Sequence, residues 1–176
     1  MAVAGEDRIT NSENMNLQTN SVTETRNLGK LFSQLLTGNE VVALIGELGS
    51  GKTVFVQGLT EGLEVNEIVH SPSFTLVNEY HGKSTVYHFD FYRLKSEEEV
   101  WNLGWQDYLS NSGILVIEWA DRFPHILPGE RIEIRFTTNS ENENKRFINF
   151  NPIGEKYTTL LKKSMQIRNL KLNKIL

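Results

Sequence analysis

Eight consecutive residues, Gly46-Glu47-Leu48-Gly49-Ser50-Gly51-Lys52-Thr53, satisfy G-x-x-x-x-G-K-[ST] at every fixed position. Each residue type has a task in holding a phosphate chain. Glycines admit backbone conformations that aim successive N–H groups into one concavity. A helix opening at Lys52 adds the positive end of its dipole. The lysine reaches the β- and γ-phosphates, and the Thr53 hydroxyl is a magnesium ligand. With average residue usage such a match arises by chance in about one chain in two hundred of this length, so its surroundings decide. The run Val41-Val42-Ala43-Leu44-Ile45 precedes it and a helix-compatible segment, Lys52 to Leu63, follows. That is the strand–loop–helix order the motif requires.

Phosphoryl chemistry needs more than a cradle: a second carboxylate on the metal side and a group that orients the attacking oxygen. Two acids stand where strands end. Glu118 closes the apolar run Ile114 to Ile117, and Asp90 closes Val86 to Phe89. In an open α/β sheet, strand ends beside a phosphate loop are where ligands bind. Lys52, Asp90 and Glu118 are therefore the candidate catalytic residues, and Thr53, Asp90 and Glu118 the candidate metal ligands.

The elements that must position these groups are legible in outline. Ser21 and Glu24 have capping-box spacing, and Leu28, Leu31, Phe32, Leu35 and Leu36 form one apolar helix face that Gly38 stops. The run at 41–45 is short, β-branched and continuous, as in a parallel strand buried on both faces. Phe74 to Tyr80 and Ser84 to Phe91 read as a hairpin. Ser96 and Glu99 open a short helix through Trp101. Arg131 to Thr137 alternates apolar and polar residues as a half-buried strand, and Arg146 to Phe150 is expected to pair with it.

The sequence has 176 residues, a net charge of −4 and no cysteine. It suits one sheet-centred domain. The acidic balance argues against a whole-protein electrostatic grip on nucleic acid. The missing thiols exclude disulfides, thiolate zinc and cysteine nucleophiles. No apolar run approaches the roughly 18 residues of a membrane span, and residues 1–20 lack the pattern of a secretory signal, so a cytoplasmic protein without a membrane partner is expected. The chain is expected to divide into a flexible polar arm over 1–20, a P-loop domain over 21–152 and a basic helix or tail over 153–176. From Lys156 onward the chain carries lysines and arginines and no acid.

Three further segments join the phosphate loop in a recognisable order: Ser71-Pro72-Ser73-Phe74, His88-Phe89-Asp90-Phe91-Tyr92-Arg93-Leu94 and Glu118-Trp119. Together they resemble the TsaE (YjeE) family, from about Ser21 to Phe150. The resemblance implies an α/β fold: a P-loop NTPase-like three-layer sandwich with a mixed, mainly parallel central sheet and an antiparallel addition. It implies ATP and Mg²⁺ as ligands and ATP hydrolysis in support of threonylcarbamoyl transfer to the adenosine beside the tRNA anticodon. TsaD and TsaB homologues are the partners it implies, with tRNA contact at most indirect. By position, Glu47, Leu48, Gly49, Ser50, Gly51, Lys52 and Thr53 bind the nucleotide. Asp90 and Glu118 share magnesium binding and water activation in an undivided way. Trp119 lies by the nucleotide, where its indole can stack on adenine. Ser71 to Phe74 reads as a switch-like loop sensing the γ-phosphate, and Arg93 as a phosphate or partner contact.

Other P-loop functions fit less well. A small-molecule or protein kinase of the P-loop class is the alternative reading, but no arginine-rich lid segment follows the loop helix in this sequence. A guanine reader carries N-K-x-D, whereas Asn144-Lys145 is followed here by Arg146-Phe147. A purely structural nucleotide leaves Asp90 and Glu118 without a task. His70, His81 and His125 read as surface or turn residues, and His88 as structural.

Overall fold

The computed structural model describes residues 14–139 and 142–172, with the side chains of 143 and 164–172 left aside. Seven strands form one sheet: β1 (Met15–Thr19), β2 (Val41–Gly46), β3 (Val77–Tyr80), β4 (Val86–Asp90), β5 (Ile114–Glu118), β6 (Arg131–Asn139) and β7 (Asn142–Ile153). Their order is β1-β7-β6-β2-β5-β4-β3. The middle pairs β6–β2, β2–β5 and β5–β4 are parallel. Antiparallel strands complete both edges, with β3 beside β4 on one and β7 and β1 beyond β6 on the other.

Strand β2 shows why the sheet is central. Val42 and Leu44 enter one apolar cluster with Phe32, Phe55 and Leu59, while Val41, Ala43 and Ile45 enter a second with Phe89, Trp105 and Phe123. Alternate side chains of a strand point to opposite faces, so a run apolar at every position needs cover on both. Helices α1 (Val22–Ser33), α2 (Lys52–Gly62) and α5 (Glu155–Leu172) lie on the first face. Helices α3 (Glu97–Asn102) and α4 (Trp105–Ser110) and the 3₁₀ turns Ala120–Arg122 and Pro124–Ile126 cover the second. Three layers result, as expected from the family resemblance.

Helix α1 begins as its sequence predicts: the Ser21 hydroxyl accepts from the Glu24 amide at 3.0 Å, and the Glu24 carboxylate accepts from the Asn20 amide at 2.8 Å. The regular helix ends at Ser33, a tighter turn carries the chain through Leu36, and Gly38 turns it back at φ 113°. Helices α1 and α2 touch backbone to backbone. A Cβ on Gly29 would overlap the carbonyl oxygen of Phe55, and one on Gly58 that of Arg26. This approach fixes the axis of α2, and hence where its first turn points.

Several boundaries differ from the sequence reading. Met15–Thr19, placed in the flexible arm, is strand β1, paired antiparallel with Phe150 to Arg146; the first 13 residues lie outside the described part. Met15 and Thr19 are buried, so the polar composition of this segment hid two inward positions. The hairpin's first strand starts at Val77 rather than Phe74, because the chain turns through Leu76 at φ 67°. At the other end, α5 docks through buried Tyr157 and Leu161, so its first turns belong to the core. The Tyr157 hydroxyl receives the Val41 amide at 2.5 Å, and burial pushes the phenol up to about 12.

Glu40, just ahead of β2, is almost wholly buried and accepts from the Thr37 hydroxyl and from the amides of Thr37, Gly38 and Asn39, at 2.7 to 3.1 Å. Burial alone would raise its pKa. The bonds from Thr37 and Gly38 and the Lys156 ammonium outweigh that, so the carboxyl sits below its ordinary range. A depressed carboxyl stabilises the fold above its unfolded pKa, and that contribution is lost as pH falls through the folded value. Glu40→Gln is therefore expected to be less stable than the parent at about pH 7 and to lose less stability on acidification to about pH 3. Urea midpoints at the two pH values check this; parallel acid losses in both proteins would refute it.

Candidate functional site

The site lies at the carboxyl ends of β2, β5 and β4. Gly46 ends β2, and the loop closes into α2 at Lys52 with Gly51 at φ 102°, a left-handed value that glycine adopts without strain. Asp90 and Glu118 are ladder partners at the ends of β4 and β5. The sheet thus brings side by side two acids that are 28 positions apart in the chain. Both are buried, as is Lys52.

Glu118 faces Thr53. The threonine hydroxyl lies 2.9 Å from Oε1 and 3.1 Å from Oε2 of the carboxylate. On its other side Glu118 Oε1 meets His88 Nε2 at 3.0 Å. Asp90 faces the loop between α2 and β3. Its Oδ2 accepts from the hydroxyls of Ser71 at 3.0 Å and Ser73 at 2.5 Å, and its Oδ1 from the Tyr92 amide at 2.8 Å. The two carboxylates, equivalent on sequence, therefore have different neighbours: the loop threonine for one and the serine segment for the other.

Lys52 Nζ donates to the carbonyl oxygens of Gly46 at 2.7 Å and Glu47 at 2.8 Å. The Trp119 ring covers it at 4.0 Å, and Tyr92 packs on that ring with centroids 4.8 Å apart. Burial lowers the lysine pKa, against the raising effect of Glu118, Asp90, Asp121 and Glu47. Trp119 lies beside the loop, on its lysine. A lysine of such a loop serves the β- and γ-phosphates, so an indole on its ammonium stands at the phosphate end. The cause is local: Trp119 adopts φ 58° directly after β5, which turns its ring back over the loop.

The donor set suits magnesium. Among the described residues no group of three or more His, Asp or Glu side chains is arranged to hold a metal ion. A cation at this place would rely on the Thr53 hydroxyl, one or two carboxylates and oxygens of its own ligand or water. Magnesium takes such sites because it keeps much of its water and binds through few carboxylates plus phosphate.

Two contributors escaped the sequence reading. His88, read as structural, is fully buried with Nε2 on Glu118. Arg146 reaches over from β7 and is nearly buried, with its Nε 2.9 Å from where a Gly51 Cβ would stand. A lone arginine in an alternating strand carries no motif that would reveal this. Arg93 lies with its guanidinium 4.1 Å from the ring of exposed Phe74, at the edge of the serine loop. Near the loop, Leu48 is exposed and Ser50 buried. His81 pairs with Glu79 at the surface, and His70 and His125 are exposed, as the sequence suggested.

Known proteins resemble this chain over the segment that carries the site. The family model described as threonylcarbamoyl adenosine biosynthesis protein TsaE matches residues 19–148. The tRNA threonylcarbamoyladenosine biosynthesis protein TsaE of Bacillus subtilis is 38% identical over 138 residues, which span 78% of this chain and 85% of that protein. The protein of the same name from Treponema pallidum is 42% identical over 114 residues, 65% of this chain and 84% of its own. The crystal structure of YdiB from Bacillus subtilis superposes with a TM-score of 0.76 at 30% identity, covering 88% of this chain and 96% of that one. With a P-loop, two strand-end carboxylates and a family match that spans all of them, this chain belongs to the TsaE family of threonylcarbamoyl adenosine biosynthesis proteins.

Proposed function

We propose that this chain is a magnesium-dependent ATPase that works with TsaD and TsaB homologues. It would support formation of the threonylcarbamoyl group on the adenosine beside the anticodon, in tRNAs that read codons starting with adenine. The observation that carries the reading is the Thr53 hydroxyl bonded to both Glu118 oxygens, with Asp90 in the next strand at the same level. A hydroxyl and a carboxylate so paired at the mouth of a phosphate loop suit an octahedral cation that also touches phosphate. Magnesium, when bound, neutralises charge developing on the β- and γ-phosphate oxygens.

The chain's own residues divide the remaining work. Backbone amides of Leu48 to Thr53 and the N-terminus of α2 hold the phosphates. Lys52 exchanges its carbonyl partners for phosphate oxygens, with Trp119 shielding it from water. Glu118 orients Thr53 and serves the metal side. Asp90 orients the attacking water and accepts its proton as the γ-phosphoryl group passes to that water and ADP departs. Protonation turns Asp90 from an acceptor only into a group that also donates, which changes its bonds to Ser71 and Ser73 and couples the serine loop to the state of the nucleotide. A P-loop kinase is not favoured, because the family match spans the loop and both acids.

Mg-ATP hydrolysis by the purified chain, alone and with TsaD and TsaB from the same source, tests this. A rate that is low alone and rises about tenfold or more with the pair is expected, since partner groups commonly complete P-loop sites. Bound nucleotide with no stimulation would remove the partner assignment, and no hydrolysis in either setting would remove the ATPase reading.

A further inference from the structure

The described part of the site contains one buried ring that phosphate binding and water activation leave without a task. His88 has no exposed surface, and among the described residues its ring has one hydrogen-bond contact, Nε2 to Glu118 Oε1 at 3.0 Å. Its Nδ1 is buried and has no hydrogen-bond partner. A carboxylate oxygen accepts, so the geometry suits a ring that carries its proton on Nε2. A ring there for packing alone would be better replaced by an apolar one, because an unpartnered buried nitrogen costs stability.

The sheet explains the meeting. His88 pairs with Val116 across the β4–β5 ladder, and Glu118 lies two residues further along β5. Residues two apart in a strand share a face, so His88, Asp90 and Glu118 all project toward the α2 side. Glu118, at the end of its strand, is held by two donors, the His88 ring and the Thr53 hydroxyl. Both reach Oε1, whereas Oε2 has only the longer, 3.1 Å contact with Thr53.

We propose that His88 is a positioning residue. Its Nε2–H anchors Oε1 of Glu118, fixing the carboxylate against Thr53 and leaving Oε2 the freer oxygen for the hydrated cation. Groups that orient metal-side carboxylates typically change metal affinity by about 10- to 100-fold when removed. The inference rests on the reading that Glu118 serves magnesium, and the experiment separates the two.

The first measurement uses the whole protein without nucleotide or metal. Long-range proton–nitrogen NMR of the histidine rings should place a proton on His88 Nε2; a ring with its only proton on Nδ1 would overturn the proposal. The second titrates magnesium into protein and a fluorescent ATP analogue, comparing H88L, H88Q and E118Q with the parent. In H88L the half-saturating magnesium concentration should rise about tenfold or more, with ADP affinity in the absence of magnesium unchanged. In H88Q, whose side-chain amide can donate to the same oxygen, most of that loss should be recovered. A folded H88L with the parent's magnesium midpoint, or H88Q as impaired as H88L, overturns the positioning role. If E118Q also leaves the midpoint unchanged, the assignment of Glu118 to the metal falls with it; a raised midpoint in E118Q alone removes only His88. Should H88L not fold, the NMR result on the parent protein decides.

Discussion

Lys52→Ala is expected to lower affinity for Mg-ATP by about a hundredfold or more. The ammonium is buried, hydrogen-bonded to Gly46 and Glu47 carbonyls and covered by the Trp119 ring. In the proposed function it trades those carbonyls, on nucleotide binding, for phosphate oxygens that carry full charge. Truncating one partner of a buried, hydrogen-bonded charge pair costs about 2–5 kcal/mol, and about 1.4 kcal/mol is a tenfold change in affinity. The four acids that face Lys52 would then confront the phosphates without their counter-charge. Calorimetric titration with a slowly hydrolysed ATP analogue measures this directly. Affinity within threefold of the parent would mean that Lys52 does not contact phosphate, and the loop would have to hold nucleotide by its amides alone.

The second large effect separates the two carboxylates. Asp90→Asn should keep Mg-ATP affinity close to the parent's and lower turnover by about 10²–10⁴, the usual range for loss of a positioned proton acceptor. Glu118→Gln should lower turnover and also raise the magnesium concentration needed, because its partner is the Thr53 hydroxyl. The contrast follows from contacts: Asp90 holds two serine hydroxyls and the Tyr92 amide and does not touch Thr53. Turnover measured across a magnesium series for both variants gives the answer. Identical magnesium profiles would sink the division of roles, and normal turnover in Asp90→Asn would remove Asp90 from the chemistry.

The site also shows how far linear motifs reach. Gly51-Lys52-Thr53 could be read because its parts are contiguous, and the loop closes on itself by local hydrogen bonds. Asp90 and Glu118 could be read because each ends an apolar run. What each carboxylate touches could not: Thr53 meets Glu118 across 65 positions and Ser73 meets Asp90 across 17. His88 looked structural because alternation along β4 says that it is buried and says nothing about its neighbour on β5. Nor could the place of the Trp119 ring be read, which the left-handed turn after β5 sets over Lys52.

The sequence by itself determined the nucleotide loop, the acids at the strand ends, and the buried parallel strands that carry them. These depend on local geometry and on hydrophobic runs, both of which are properties of neighbours in the chain. Only the tertiary structure decided the strand order, the pairing of β1 with β7, and the in-register meeting of Asp90 with Glu118. It also decided that His88 and Arg146 join the site. Register is set by the packing of both sheet faces against α1, α2 and α5 on one side and α3 and α4 on the other. No single segment contains that balance, because a strand's partner is chosen by the apolar area the whole fold buries.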